Sequence, residues 1–567
     1  MPPPLTPRLL GLDGVKELRS LALRFGGTHG AGKQRAIAAA ASCAMADPAV
    51  LIAYHDCLLC LLAYPVSRSL RDATRAELKR VAGVARGIMA SGPARAKAKL
   101  ANSGLAWTDV TISFGWDIAR WLVERFPARA DLDSFGENGV APQSVLGEAL
   151  VPMEFELAAS DAVPLDFIAE AGAGKRGTRL AGLVRAFARL PCSDALRGHL
   201  FEAMQPFIVI RPGASMLSRT FVRGLPAATF FHRGGLERDV DLRVLLDRPL
   251  PAPRRLSAAE GLHVVDAGRA MLAALGRETD AIALACPDGV RYYELERGVA
   301  IALYTMRPDR RSPLDSHVGM MVFKNGVPVG YGGGWPFLGA CKIGVNVFAP
   351  FRGGESALLF GQVLRVYRQC FGVERFVAEP SQFGGTNKEG LQSGAFWFYY
   401  RLGFRPIEPR AAQRAEDAWA RMRADPGQRT PIAELRRFTG SDIELRQGAL
   451  PECEPGVLSD AVTRWIRRAF DGDRAAAEHA ATRLAARALA VRGMERWPAA
   501  ERDAFRALAP LAALVPDLPR WPATAKRSLV ALMRAKGGDE FRFHEGLARH
   551  ARFGDALRRL HDESVRA

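Results

Sequence analysis

Asn325-Gly326 stands between two apolar runs, one from His317 to Lys324 and one from Val327 to Phe337. A two-residue type I′ loop needs positive φ at both central positions, and Asn followed by Gly adopts that most cheaply, so the pair predicts a β-hairpin. A hairpin here commits the middle of the chain to antiparallel strands. Tyr331-Gly-Gly-Gly-Trp335 interrupts the second arm. Three glycines in a strand permit a bulge or a close backbone approach, and they read equally well as a plain loop.

The neighbourhood of the hairpin alternates helix and strand signals. Upstream, His263–Arg277 reads as a helix, and Ala281–Cys286, Val290–Gly298 and Val299–Met306 read as strands. Downstream come a strand at Lys342–Phe348, a helix at Gly354–Phe371, a strand at Arg375–Glu379 and a helix at Leu391–Leu402. This is a mixed α/β pattern.

The flanks differ. From Val15 to about His199 apolar residues return every three or four positions, as in Leu51–Ala63, Ala76–Ile88 and Ile118–Phe126, and Pro48, Pro65, Pro93, Pro127 and Pro142 punctuate the pattern. Phe207–Pro253 carries β-branched and aromatic clusters separated by Gly and Pro, which suggests strands or an irregular link. Beyond Pro406 the chain returns to Arg- and Ala-rich amphipathic helices. The 567 residues therefore divide into an all-α N-terminal domain at 1–205, a mixed-sheet α/β domain at 206–449 with its core at 300–406, and a small all-α C-terminal domain at 450–567.

A chain that is 48% hydrophobic and 24% charged is expected to fold rather than stay disordered. No stretch reaches the apolar length a membrane span requires, and the first residues lack the basic and apolar regions of a secretory signal, so the expected compartment is the cytoplasm. The eight cysteines are scattered and read as reduced; Cys57 and Cys60 share an apolar helix face and have no second pair to complete a metal site. A formal charge of +18 favours phosphates, on a coenzyme or on nucleic acid, although Arg-rich, Ala-rich composition of this kind also follows from a GC-rich genome.

The most informative run is Cys341–Pro380 followed by Glu389–Pro406. A strand ends near Pro350, a glycine-bearing turn follows and a long helix begins, which presents unpaired N–H groups at a helix N-terminus, a natural anion site. The order resembles that of the GNAT acyltransferase superfamily: antiparallel strands, a strand, a turn and a donor-binding helix, another strand, and a last helix ending in Tyr-x-x-x-Gly-Phe. The family's turn, Arg/Gln-x-x-Gly-x-Gly/Ala, is matched by Arg352 and Ala357, with Glu355 in place of the middle glycine. Its last-helix pattern is matched by Ala395, Tyr399, Gly403 and Phe404, with Gln392 in place of an asparagine.

The resemblance implies an enzyme that moves an acyl group from a thioester, acyl-CoA first, to an amine on an acceptor the sequence does not name, with no metal. The N–H groups of Gly353, Gly354, Glu355, Ser356 and Ala357 would cradle the donor pyrophosphate beside Arg352. The strand end at Val347 and Phe348 would splay from its neighbour and hold the thioester carbonyl. Tyr399 would protonate the leaving thiolate and Glu379 would serve as base. A carboxylate at position 355 opposes this: it would repel a pyrophosphate unless turned outward, and it would compete for the helix N–H groups. That opposition opens an acyl-carrier protein or an aminoacyl-tRNA as donor, or a binding protein with a degenerate module, although no RNA-binding signature is present.

Other signals are weaker. Gly27-Thr-His-Gly-Ala-Gly32-Lys33 has the frame of a phosphate-binding loop, but Gln34 stands where Ser or Thr would hold Mg²⁺, and Ala173-Gly174-Lys175 lacks the first glycine. His317 precedes the hairpin and reads either as facing the site or as a satisfied histidine. The ten histidines show no metal-ligand spacing.

Overall fold

The computed structural model describes residues 9–26, 28–149, 151–153, 177–425 and 427–566. The Ala173–Lys175 tripeptide, Gly27 and the first eight residues lie outside them.

The hairpin forms as the Asn-Gly step requires. Strand β6 (Val318–Lys324) pairs antiparallel with β7 (Val327–Phe337), and Asn325 and Gly326 take φ of 48° and 77°. Around it grows an eight-stranded mixed sheet of β4 (Ala285–Glu294), β5 (Val299–Met306), β6, β7, β8 (Ala340–Val347), β9 (Arg375–Ala378), β10 (Arg405–Pro406) and β11 (Ile443–Arg446). The spatial order is β10-β11-β9-β8-β7-β6-β5-β4, and β8 with β9 is the parallel pair. The helix Ser356–Phe371 connects these two strands, as a parallel connection demands.

The glycines of β7 are strand residues rather than a loop. A Cβ on Gly332 would lie 2.0 Å from the Gly344 carbonyl oxygen of β8, and one on Gly333 would lie 2.1 Å from His317 Nε2. The ladder closes at this spacing only without side chains, which is the close-approach reading.

The N-terminal region is helical but not all-α, which corrects the expectation. A second sheet of β1 (Val110–Ser113), β2 (Ala130–Phe135) and β3 (Pro206–Ile210) runs antiparallel in the order β1-β3-β2. Its strands are four to six residues long and embedded in helical periodicity, so no alternation long enough to recognise develops.

Nor do the N-terminal helices keep a core to themselves. One buried cluster runs from Val15 through the helix Pro48–Ala63 to the sheet strands and on to Leu445. That helix starts on Asp47, whose side chain accepts from the Ala49 N–H, and on Pro48, which is preset for a first turn. Its residues are buried almost all round, and it packs on β7 and on the short turn Ala349–Phe351. The Asn325 amide fixes the contact by donating to Ala63 O at 2.8 Å. After Leu450 the chain is helical from Pro455 to Arg566 and holds a second core that Phe337 and Leu338 of the β7–β8 hairpin enter.

Candidate functional site

The turn after β8 supplies the geometry. Ala349–Phe351 makes a single tight turn, Gly353 adopts φ of 79°, and the helix Ser356–Phe371 starts after Glu355. Glycine is needed at 353 because a side chain is strained in the left-handed region. Gly354 N–H closes the turn on Phe351 O at 3.2 Å. The N–H groups of Gly353, Ser356 and Ala357 have no acceptor among the described residues, and the Glu355 side chain makes no cap hydrogen bond. Their positive ends are left for an anion.

The second wall is a strand that outruns its partner. β8 pairs with β9 only at Ala340–Lys342 against Arg375–Val377, so Val345–Val347 keep β7 on one side and open space on the other. That space is a cleft of about 530 Å³ lined by Val345–Val347, Arg352–Gly354, Ser356, Ala357 and, from the last helix of the module, Tyr399. Tyr399 is 2% exposed. Burial pushes its phenol well above the usual tyrosine range, and a hydrogen bond with the Val345 backbone offsets this only in part. The phenol is therefore protonated at neutral pH. It sits on Ala395–Arg401, which is separated from Lys388–Ser393 by Gly394 at φ 66°; a single helix across 391–402 is thus corrected to two.

Charge in the cleft is arranged by specific pairs. Arg352 donates from Nε to Val347 O at 2.9 Å and pairs with Glu389 on the short helix across the opening. The Glu389 carboxyl is held below the usual range by that hydrogen bond and charge. Arg238, Arg401 and Asp239 also line the cleft. Arg238 and Asp239 come from an irregular segment whose sequence carries no motif, so nothing in the sequence marked them.

Glu355 is the principal correction. Its side chain is fully buried and does not line the cleft. Oε2 accepts from Lys324 Nζ at 2.6 Å, and Oε1 accepts from Arg297 Nη2 at 2.5 Å and from Glu237 N–H at 3.0 Å. Burial alone would raise this carboxyl, but Lys324, the Glu237 amide and Arg297 hold it below the usual carboxylate range. The charge is neutralised behind the turn, so it neither repels an anion in the cleft nor occupies the helix N–H groups. Gln392 is exposed and also outside the lining.

Two further placements differ from expectation. Phe348 is 4% exposed and stacks on Tyr331 with centroids 5.6 Å apart, so its ring belongs to the core while the neighbouring Val347 borders the cleft. Glu379 follows β9 and pairs with Lys342 at 3.2 Å, half-exposed and outside the lining, because β9 ends before it reaches the open edge of β8. The carboxylates that do border the cleft are Asp239 and Glu389, and Asp239 has no salt bridge among the described residues.

The remaining sequence signals resolve structurally. Lys33 is buried, with Nζ donating to Ala22 O at 3.0 Å and lying 3.4 Å from the Phe25 ring centroid, so it is a helix residue and not a phosphate-loop lysine. His317 stacks on Trp335 at 4.1 Å, and burial lowers its pKa to about 4. Cys57 and Cys60 are buried free thiols; burial pushes Cys57 up to about 12. Among the described residues no helix is long and apolar enough to cross a membrane, and no group of His, Cys, Asp or Glu is arranged to hold a metal.

No protein-family model, curated protein or solved structure matches the chain.

Proposed function

We propose that the chain is a GNAT-like N-acyltransferase which binds an acyl thioester, acyl-CoA in the first instance, in the cleft between β8 and the Tyr399 helix and passes the acyl group to an amine. One observation carries this reading: the free amides at Gly353, Ser356 and Ala357, the unpaired edge at Val345–Val347 and the protonated phenol of Tyr399 all border one cavity. The chain order of antiparallel strands, β8, turn, helix, β9 and a Tyr399 helix also agrees with the resemblance described above.

In this reading the pyrophosphate lies at the mouth of the helix Ser356–Phe371, where amides and helix dipole favour negative charge. The acyl arm runs along the open edge of β8. Amine attack forms the new C–N bond, the C–S bond breaks, and the phenolic proton of Tyr399 passes to the departing thiolate; such general acid assistance contributes about 10²–10⁴-fold. The proton released by the amine goes to Asp239 or to solvent.

Calorimetric titration of the purified chain with acetyl, longer-chain and aminoacyl thioesters tests the donor assignment. Binding of at least one, lost on Ala357→Glu, is expected. Silence toward all three, with an empty turn in crystals soaked with the same compounds, removes it.

A further inference from the structure

The turn at the mouth of the cleft is a type II β-turn over Phe351, Arg352, Gly353 and Gly354. Arg352 takes φ of −64° and ψ of 140°, Gly353 takes φ of 79°, and the Gly354 N–H returns to Phe351 O at 3.2 Å. The central peptide unit of this turn joins the Arg352 carbonyl to the Gly353 N–H. A trans peptide is planar, so these two groups point in opposite directions and fixing one fixes the other. A type I turn over the same four residues differs chiefly in that this unit faces the other way.

A side chain from the N-terminal region holds it in one orientation. Arg19, in the last turn of the helix Leu12–Ala22, donates from Nη2 to Arg352 O at 3.3 Å, across 333 positions of sequence. That carbonyl has no other hydrogen-bond partner among the described residues. At the opposite edge of the peptide the Gly353 N–H has no acceptor, and Gly353 lines the cleft. Arg19 Nη1 is buried without a partner, so the hydrogen bonding of this guanidinium, among the described residues, is spent on the one carbonyl. The end of the same helix is tied to the cleft wall again: Arg238, a lining residue, donates from Nη2 to Leu23 O at 3.2 Å.

We infer that Arg19 is a positioning residue of the cleft: by holding Arg352 O on the side of the N-terminal helix, it keeps the Gly353 N–H turned to where a donor phosphate would lie. The inference rests on the reading of this cleft as a thioester-donor site. Without the Arg19 bond the carbonyl is left unsatisfied, a cost that rotation of the peptide unit relieves. Rotation would set a carbonyl oxygen where the amide had been, and an oxygen repels the phosphate that an N–H attracts. Gly353 makes both orientations reachable. A Cβ there would meet only Leu23 Cδ1, at 3.9 Å, so a side chain is opposed by the left-handed backbone and not by lack of room. Alanine at 353 therefore favours the orientation that Arg19 opposes.

Crystals of the full chain carrying Arg19→Met, which keeps an unbranched stem, are expected to show Arg352 O rotated into the cleft. Gly353→Ala serves the same comparison and should show the same rotation, so the test survives a failure of the first variant to fold. A peptide unit that keeps its direction in both overturns the assignment, whatever the cleft binds. In calorimetric titration with acetyl-CoA, Arg19→Met and Gly353→Ala should each weaken binding about tenfold, and an affinity indifferent to Arg19→Met overturns the assignment. The double variant should bind no more than about twofold more weakly than the poorer single one, because both act on one peptide unit; a loss of about a hundredfold marks independent effects and also overturns it. Wild-type chain that binds no acetyl-CoA counts against the donor reading instead, and the crystal comparison still decides what Arg19 holds in place.

Discussion

Glu355 sits 2.6 Å from the Lys324 ammonium and 2.5 Å from Arg297, with no solvent at its side chain. Truncating it leaves a buried ammonium unpaired, so Glu355→Ala should cost about 3–5 kcal/mol in denaturant melts, whereas Lys324→Met combined with Glu355→Leu should recover most of that loss. The carboxyl is depressed in the folded state, so its contribution is present above the unfolded carboxylate pKa and fades as pH falls through the folded value. Under the proposed acyltransferase function, Tyr399→Phe makes the opposite separation: the ring stays packed while turnover of an acyl thioester should fall roughly 10²–10⁴-fold, and the melting curve should move little. The sequence disclosed Tyr399 and the turn because both are local patterns. It could not disclose where the Glu355 carboxylate points, because its partners lie 31 and 58 residues upstream on a hairpin arm and in a loop.

Among elements, the same distinction between local and long-range information recurs. The β6–β7 hairpin was legible because its turn chemistry is contained in two residues, and the helix Ser356–Phe371 because its apolar face repeats over 16. β11 was not legible. It is a four-residue strand between Arg-rich helices, and it becomes a strand only because β9 and β10 offer it edges on both sides. Gly394 ended a helix that periodicity alone continues, since the break depends on a left-handed backbone rather than on hydrophobic spacing. A strand-level prediction follows from the β7 glycines. Gly332→Ala sets a Cβ 2.0 Å from a backbone oxygen, which no rotamer change relieves, and it should destabilise the protein by about 3 kcal/mol, read as a lowered urea midpoint. Gly234→Ala, with nothing within 4 Å of its Cβ, is the matched control and should leave the midpoint near wild type.

Across the whole molecule, the C-terminal helices are tied to the sheet by a buried ion cluster. Glu540 pairs with Lys536 at 2.7 Å and with Arg311 at 3.0 Å, and Lys536 also donates to Ser316 Oγ at 2.7 Å in the loop between β5 and β6. Burial opposes ionisation of Glu540, but Lys536, His544 and Arg311 outweigh it and hold the carboxyl at about 2. An unfolded glutamate titrates near ~4.3, so this stabilisation is complete above that pH and is lost on acidification toward 2. Urea melts at pH 6 and pH 3 should differ by roughly 2 kcal/mol more in wild type than in Glu540→Gln. Neither this tie nor the shared core was visible in composition, because each joins residues more than 200 positions apart.

The buried helix Pro48–Ala63 lies directly against β7 and the turn that leads into the helix Ser356–Phe371. Excision of the strand-and-helix module from the rest of the polypeptide would strip that wall away and bare an oily flank. Such a fragment would clump instead of retaining a half-working pocket, so any dissection of this protein has to proceed by point changes in the intact polypeptide.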